Sequence, residues 1–167
     1  MEKIVIQSLL PKGKLNFGGV EWVDLSGKDL RFLRGIQGVK ILDLSKSRGL
    51  RGKWNFSEME KVFLCQTNLK YVNYIKGAKI MTFYGATDLH GVLDLRCTDR
   101  AYFQGSDLSK IEKIICRFDT VLDGLTSEER NALHGKIVYV KKTPVMSFEE
   151  LLKIISGNGL KRQHGSI

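Results

Sequence analysis

Two carboxylates hold matching places in two copies of one short string, Val23-Asp24-Leu25-Ser26 and Leu42-Asp43-Leu44-Ser45. Laid side by side as neighbouring strands, the strings bring Asp24 and Asp43 about 5 Å apart on one face. A carboxyl pair at about that separation suits a retaining glycoside hydrolase, with Trp22 placed as a sugar platform. The plainer expectation is that aspartate recurs with the string, solvated or paired with Lys40, Lys46 or Lys61. No evident pocket would raise either pKa. A hydrolase centred on this pair is therefore a subordinate alternative to a non-enzymatic protein.

The remaining chemistry is sparse. Cys97 and Cys116 each stand two residues beyond matching apolar positions, Leu95 and Ile114, so stacking predicts their Cα atoms near 5 Å, within disulfide reach. The odd total of three cysteines, with no CxxC, points to a reducing compartment and to buried thiols. Cys65 falls on the exposed strand face with no evident base to activate it. His90, His134 and His164 lack metal spacing, so no metal or cofactor is expected. GxSxG and HExxH strings are absent, and Gly27-Lys28 runs into Asp29 without the earlier glycine of a phosphate loop. Gly157-x-Gly159 follows a predicted helix and reads as a C-cap. No catalytic residue and no small-molecule substrate are expected.

Charge gives a stronger signal. The 167 residues carry 27 Lys plus Arg against 18 Asp plus Glu, a net charge of +9. Lys28, Arg31, Arg34, Lys40, Lys46, Arg48, Arg51 and Lys53 cluster in sequence against only Asp29 and Asp43. Such a surface tracks the phosphates of nucleic acid, or steers an acidic protein partner. No helix-turn-helix, zinc-finger or RNP-like string accompanies it. Protein binding is the leading expectation and nucleic-acid binding the alternative.

The elements that must position these residues follow from a repeat. Val20-x-x-Val23-x-Leu25, Val39-x-x-Leu42-x-Leu44, Met59-x-x-Val62-x-Leu64, Ala78-x-x-Met81-x-Phe83 and Thr98-x-x-Ala101-x-Phe103 start 19, 20, 19 and 20 residues apart. A partial sixth copy starts at Phe118, with Val121 in register. Leu30, Leu33 and Ile36 recur as Leu69, Val72 and Ile75, then Leu89, Val92 and Leu95, then Leu108, Ile111 and Ile114; the second copy carries Leu50, Trp54 and Phe56 instead. Period 2 in the first half predicts a short strand, and the second half a 3₁₀ turn or coil returning along the other side. One such coil cannot bury its apolar edge alone, whereas a stack shares a core. Gly35, Gly38, Gly49, Gly52, Gly77, Gly85, Gly91 and Gly105 fall at or near predicted corners and account for much of the total of 17 glycines.

Val20-x-x-Val23-x-Leu25-x-x-Lys28-x-Leu30 resembles the leucine-rich repeat, L-x-x-L-x-L-x-x-N/C-x-L. The short period is similar to that of bacterial effectors that act inside host cells. The consensus asparagine position carries Lys28, Ser47, Thr67, Ala86 and Ser106, so an asparagine ladder is absent. The resemblance implies an α/β repeat solenoid: a right-handed coil with a parallel sheet on one face, and protein recognition through that face. It also implies delivery into a host cell as one route for a protein otherwise expected in the cytoplasm, since neither a signal peptide nor a run of 18 apolar residues is present.

The expected layout is a single domain. Residues 1–19 form an N-terminal cap with a strand over Lys3–Gln7 and a hairpin around Pro11-Lys12-Gly13-Lys14. Residues 20–123 hold five to six repeats, and 124–160 an α/β cap with a helix from Thr126, a strand over Ile137–Val140 and a second helix from Ser147. Residues 161–167 are a basic tail. The outward columns read Trp22, Ile41, Lys61, Ile80 and Arg100; then Asp24, Asp43, Phe63, Thr82, Tyr102 and Leu122; then Ser26, Ser45, Cys65, Tyr84 and Gln104. Phe63, Tyr84, Tyr102 and Ile80, flanked by Lys61 and Arg100 with Trp22 at the margin, are the expected partner-binding residues. Lys28, Arg31, Arg34, Lys46, Arg48, Arg51 and Lys53 form the expected basic surface.

Overall fold

Apolar alternation with period 2 produces strands here on both sides of each coil. The computed structural model describes residues 3–6, 10 and 12–141. In chain order the strands are β1 (Lys3–Val5), β2 (Gly13–Asp24), β3 (Leu33–Asp43), β4 (Arg51–Asn55), β5 (Lys61–Phe63), β6 (Tyr71–Lys76), β7 (Ile80–Thr82), β8 (Gly91–Leu95), β9 (Arg100–Tyr102), β10 (Ile111–Arg117) and β11 (Val121–Asp123). A six-residue helix, α1 (Ser127–Ala132), and a last strand, β12 (Ile137–Val140), follow. The front sheet runs β1-β2-β3-β5-β7-β9-β11 and the back sheet β12-β10-β8-β6-β4, with every ladder parallel. The molecule is thus a parallel β-solenoid of about seven turns.

Two expectations about the legs are corrected. The return legs form a second sheet, not 3₁₀ turns or coil, and among the described residues almost no helix is present, so there the α/β class gives way to an almost all-β one. The physical reason lies in side chains such as Val72, Tyr74, Ile75, Ile114 and Ile115, which favour the pleated conformation. A laddered leg also satisfies backbone groups that a buried coil would leave unpaired. The hairpin expected around Pro11–Lys14 does not form: Gly13 opens β2, and β1 pairs with β2 in parallel, Lys3 beside Trp22. A tight hairpin would have forced antiparallel pairing. The second helix expected from Ser147 and the basic tail lie outside the described residues. Around α1, Thr126 and Glu129 close a reciprocal capping box, Thr126 Oγ1 accepting from the Glu129 amide at 3.1 Å.

Inward positions build one core. Val23, Leu42, Val62, Met81, Ala101 and Leu122 line the front wall from inside, and Leu33, Trp54, Val72, Ile75, Leu93 and Ile114 the back. Phe83 and Phe103 stack at 5.1 Å between ring centroids, filling the middle of the stack. Each fully buried side chain of this size contributes about 1.5–3 kcal/mol.

The corner after each front strand is a column in its own right. Gly27, Lys46, Gln66, Gly85, Gly105 and Gly124 all take positive φ, from 53° to 75°, at successive turns of the coil. One corner position farther on, hydroxyls replace the asparagine ladder. Thr67 Oγ1 donates to the Leu44 carbonyl of the preceding coil at 2.9 Å, and Ser106 Oγ to the Phe83 carbonyl at 2.5 Å.

The back wall is not continuous. The first halves of β2 and β3 pair with each other from Gly13 to Asn16 and from Leu33 to Gln37. No ladder joins the first half of β3 to β4, which forms the free edge of the back sheet. A cavity of about 290 Å³ opens at this seam, with Lys14, Arg34 and Lys53 on its lining. The seam coincides with the coil whose back carries stacked aromatic rings, Trp54 and Phe56 at 5.6 Å, where its neighbours carry aliphatic side chains.

Candidate functional site

Strand register decides which of the predicted columns exist. Trp22, Ile41, Lys61, Ile80, Arg100 and Val121 align across the front sheet, and beside them Asp24, Asp43, Phe63, Thr82, Tyr102 and Asp123. The residues between the columns, from Val23 to Leu122, face the core. Leu122, expected outward, is therefore inward at 9% exposure, and Asp123 takes its place. The last front step is 21 residues, Arg100 to Val121, and that added residue moves the phase by one.

The expected partner-binding side chains share one face but do not fuse into one cluster. Phe63 and Tyr102 lie two strands apart with Thr82 between, about 10 Å by strand spacing. Tyr84, 48% exposed, stands just past the strand ends in the third column, beside Cys65 and Gln104. Among the described residues none of these three rings stacks on another ring. Arg100 ties its end of the face together: its Nη1 donates to Tyr102 Oη at 3.3 Å and its Nε lies 3.6 Å from Asp123 Oδ2.

At the starts of β5, β7, β9 and β11 this face dips into a hollow of about 620 Å³, lined by Lys61, Lys79, Ile80, Arg100, Tyr102 and Val121. Glu60, Asp99 and Asp119 supply acidic groups on the rim. Asp99 is bonded to Arg117 Nη2 at 2.6 Å. The hollow combines the apolar groups of Ile80, Tyr102 and Val121 with three basic and three acidic residues, and of the basic ones Lys61 and Lys79 have no ion-pair partner among the described residues. Trp22, at the far margin, is half-covered: the Lys3 ammonium lies 4.6 Å from its ring centroid, and its Nε1 is buried without a hydrogen-bond partner.

Asp24 and Asp43 are neighbours in register, as the repeat implies. Each is engaged in a turn, with Oδ1 accepting the Ser26 amide at 2.9 Å and the Ser45 amide at 2.8 Å. Burial opposes ionisation of Asp24, but hydrogen bonds from Ser26 and Lys3 outweigh it and hold its carboxyl below the usual range. A general acid needs the opposite shift.

The cysteine alignment is corrected. Cys116 pairs in register with Leu95, not Cys97: Ile111 already stands beside Gly91, 20 residues back, and a bulge between Ile111 and Lys113 adds one residue more to the offset of β10 against β8. All three cysteines are free, and burial pushes the Cys116 thiol up. No group of His, Cys, Asp and Glu capable of holding a metal occurs among the described residues, and no helix among them is long and apolar enough to cross a membrane.

The structure divides the expected basic surface. Arg31 chelates Asp29, and Arg48 Nε lies 3.8 Å from the same carboxylate, whose pKa is held to about 2 by the hydrogen bonds from Arg31. Lys28 and Lys46 sit at the corner after the front strands. Arg34, Arg51 and Lys53 belong to the back, and Arg51 lies over the Tyr71 ring at 5.2 Å. Sequence reasoning missed the aromatic members of this surface, Phe32 and Tyr71, exposed at 53% and 56%. The signal was present in Leu30-Arg31-Phe32-Leu33 and Leu69-Lys70-Tyr71-Val72, where a basic and an aromatic residue fill the outward slots between inward ones. Comparison of the chain with family models, with curated proteins and with solved structures finds no match.

Proposed function

We propose that the chain is a non-enzymatic recognition module that binds a protein partner through the front sheet face. The observation that carries this reading is the hollow at the starts of β5 to β11, where Ile80, Tyr102 and Val121 provide apolar floor beside Lys61 and Lys79. Phe63 and Tyr84 extend the contact surface beyond it. Exposed apolar and aromatic groups on a rigid sheet require no ordering before they bind, and such groups dominate interface energies. The free ammonium groups fit a partner that presents carboxylates, which sets orientation and association rate. The x-Leu-x-Leu pattern of the front strands supports the same face, since recognition there is what the leucine-rich-repeat resemblance implies.

The Phe63→Ala/Tyr102→Ala double variant tests the reading. Both side chains are only half-buried, so the fold persists and far-ultraviolet circular dichroism stays unchanged. A partner captured from the native cell by the wild-type chain should be lost by the variant, with affinity falling at least tenfold. Equal capture by both proteins would remove the front face as the binding surface.

A further inference from the structure

The back corner of the first three coils carries a different surface. The isolated Asp29–Arg48 bridge sets the first two coils side by side and Arg51 pairs in register with Tyr71, so Phe32, Arg51 and Tyr71 fall at the same corner of successive coils. Cations and rings interleave along that corner: Lys12 Nζ lies 5.3 Å from the Phe32 centroid, Arg51 lies 5.2 Å from that of Tyr71, and Lys70 Nζ lies 5.6 Å from the same ring. Two coil steps separate the rings by about 10 Å, and both are more than half exposed. Two residues farther along the strands, Arg34 and Lys53 flank the seam cavity together with Lys14. Glu58 is the one carboxylate on that lining. Lys12, Lys14, Arg34, Arg51, Lys53 and Lys70 have no ion-pair partner among the described residues.

We infer that this corner binds single-stranded nucleic acid, with bases stacked on Phe32 and Tyr71 and phosphates held by Arg34, Arg51, Lys53 and Lys14. The chemistry is specific to that ligand class in two ways. Uncommitted cations at the spacing of successive coils match a repeating anion, and exposed rings offer a platform only to bases that are not paired into a duplex. An acidic protein could also use the cations, but the alternation of rings and cations along the coil axis is the order in which an unpaired strand presents its bases and phosphates. The surface shares no residue with the front hollow, so the inference stands apart from the protein-binding reading.

Fluorescence polarisation with labelled oligo-dT and oligo-U of about 12 nucleotides, and with a duplex of the same length, tests it on the full chain at about 50 and 200 mM salt. Both single strands should bind more tightly than the duplex, with affinity falling steeply as salt rises; the tighter of the two identifies DNA or RNA as the preferred source. Phe32→Ala and Tyr71→Ala should each weaken binding at least about fivefold with the salt slope unchanged. Arg34→Gln/Lys53→Gln should lower the slope of log affinity against log salt by about 1.4. All four side chains are exposed, so these variants keep the wild-type circular dichroism and melting point. The inference is overturned if neither strand binds at the lower salt, if duplex binds as well as single strand, or if the aromatic variants bind like wild type. Competition by polyglutamate as effective as unlabelled oligonucleotide would assign the surface to an acidic protein instead.

Discussion

At the scale of single residues, Asp94 shows how a solenoid tolerates a buried charge. Its side chain is 1% exposed, yet every oxygen is used. Tyr74 Oη donates to Oδ2 at 2.9 Å from the neighbouring coil, and Arg96 donates through Nε to Oδ1 at 2.8 Å and through Nη2 to Oδ2 at 2.6 Å. Burial pushes the Asp94 carboxyl up, but these bonds outweigh it and leave the pKa below the ordinary value. A carboxylate depressed on folding adds stability that is complete above the unfolded pKa, about 3.9, and disappears as pH falls through the folded value. Asp24, Asp88 and Asp107 are shifted the same way by their own hydrogen bonds. The protein should therefore lose stability from about pH 4 downward, with none of this loss between pH 5 and 7. Asp94→Asn should cost about 1.5–3 kcal/mol at neutral pH and flatten part of the acid loss. Urea unfolding at a series of pH values measures both. An unchanged pH slope in the variant would show that Asp94 is not a source of the acid sensitivity.

At the scale of the element, the corner column makes opposite substitutions predictable. Lys46 and Gln66 hold the left-handed conformation with φ of 58° and 53°, where a side chain costs about 1 kcal/mol relative to glycine. Gln66→Gly should raise stability by up to about 1 kcal/mol despite the added freedom of the unfolded chain. At Gly124 a Cβ would meet the Gln104 backbone nitrogen at 2.6 Å, and the φ is 75°, so Gly124→Ala should destabilise by more than 1 kcal/mol. Thermal melts of the two variants should move in opposite directions. Movement in the same direction would mean that the corners are not under the backbone strain their angles imply. The hydroxyl ladder belongs to the same scale. Ser47, Thr67 and Ser106 read in sequence as the loss of an asparagine ladder, while the structure shows small hydroxyls bonding carbonyls at the same corners. Ala86 interrupts the column, so those hydrogen bonds reach across adjacent coils only locally.

At the scale of the whole molecule, parallel stacking makes stability a sum of coil terms and nearest-neighbour terms. Interior coils have neighbours on both sides and the terminal strands on one. Hydrogen exchange should therefore be slowest at the amides of Leu64, Phe83 and Phe103, which bond to Thr82, Tyr102 and Asp123 in the next coil. It should be fastest in β1, a three-residue edge strand with ladder bonds to β2 alone. Uniform protection from β1 to β11 would instead indicate a single cooperative unit. The seam between β3 and β4 predicts a second step, with β4 amides exchanging faster than those of β6 and β8, which lie inside the back sheet. The two candidate surfaces of this stack share no lining residue. A short solenoid can present both because neither is needed to bury the core.

Local pattern determined the coil, the period and the inward alternation, because a strand with one buried face must repeat apolar residues every second position. From residues 20 to 103 that pattern was sufficient: the register of Val23, Leu42, Val62, Met81 and Ala101 follows it. It also placed Phe63, Tyr84, Tyr102 and Ile80 on one outer face. What the pattern could not determine was anything that depends on a neighbour's backbone. A leg of apolar residues reads alike as coil or as strand until a parallel partner is there to ladder with it. The single-residue slip at Val121 and the register that sets Cys116 beside Leu95 instead of Cys97 arise between coils, not within one. The opening of the back wall beside Trp54 and Phe56, and the row of Phe32, Arg51 and Tyr71 along the corner, exist only once the coils are stacked. One coil holds a single member of each column, and only tertiary structure assembles the members into a surface.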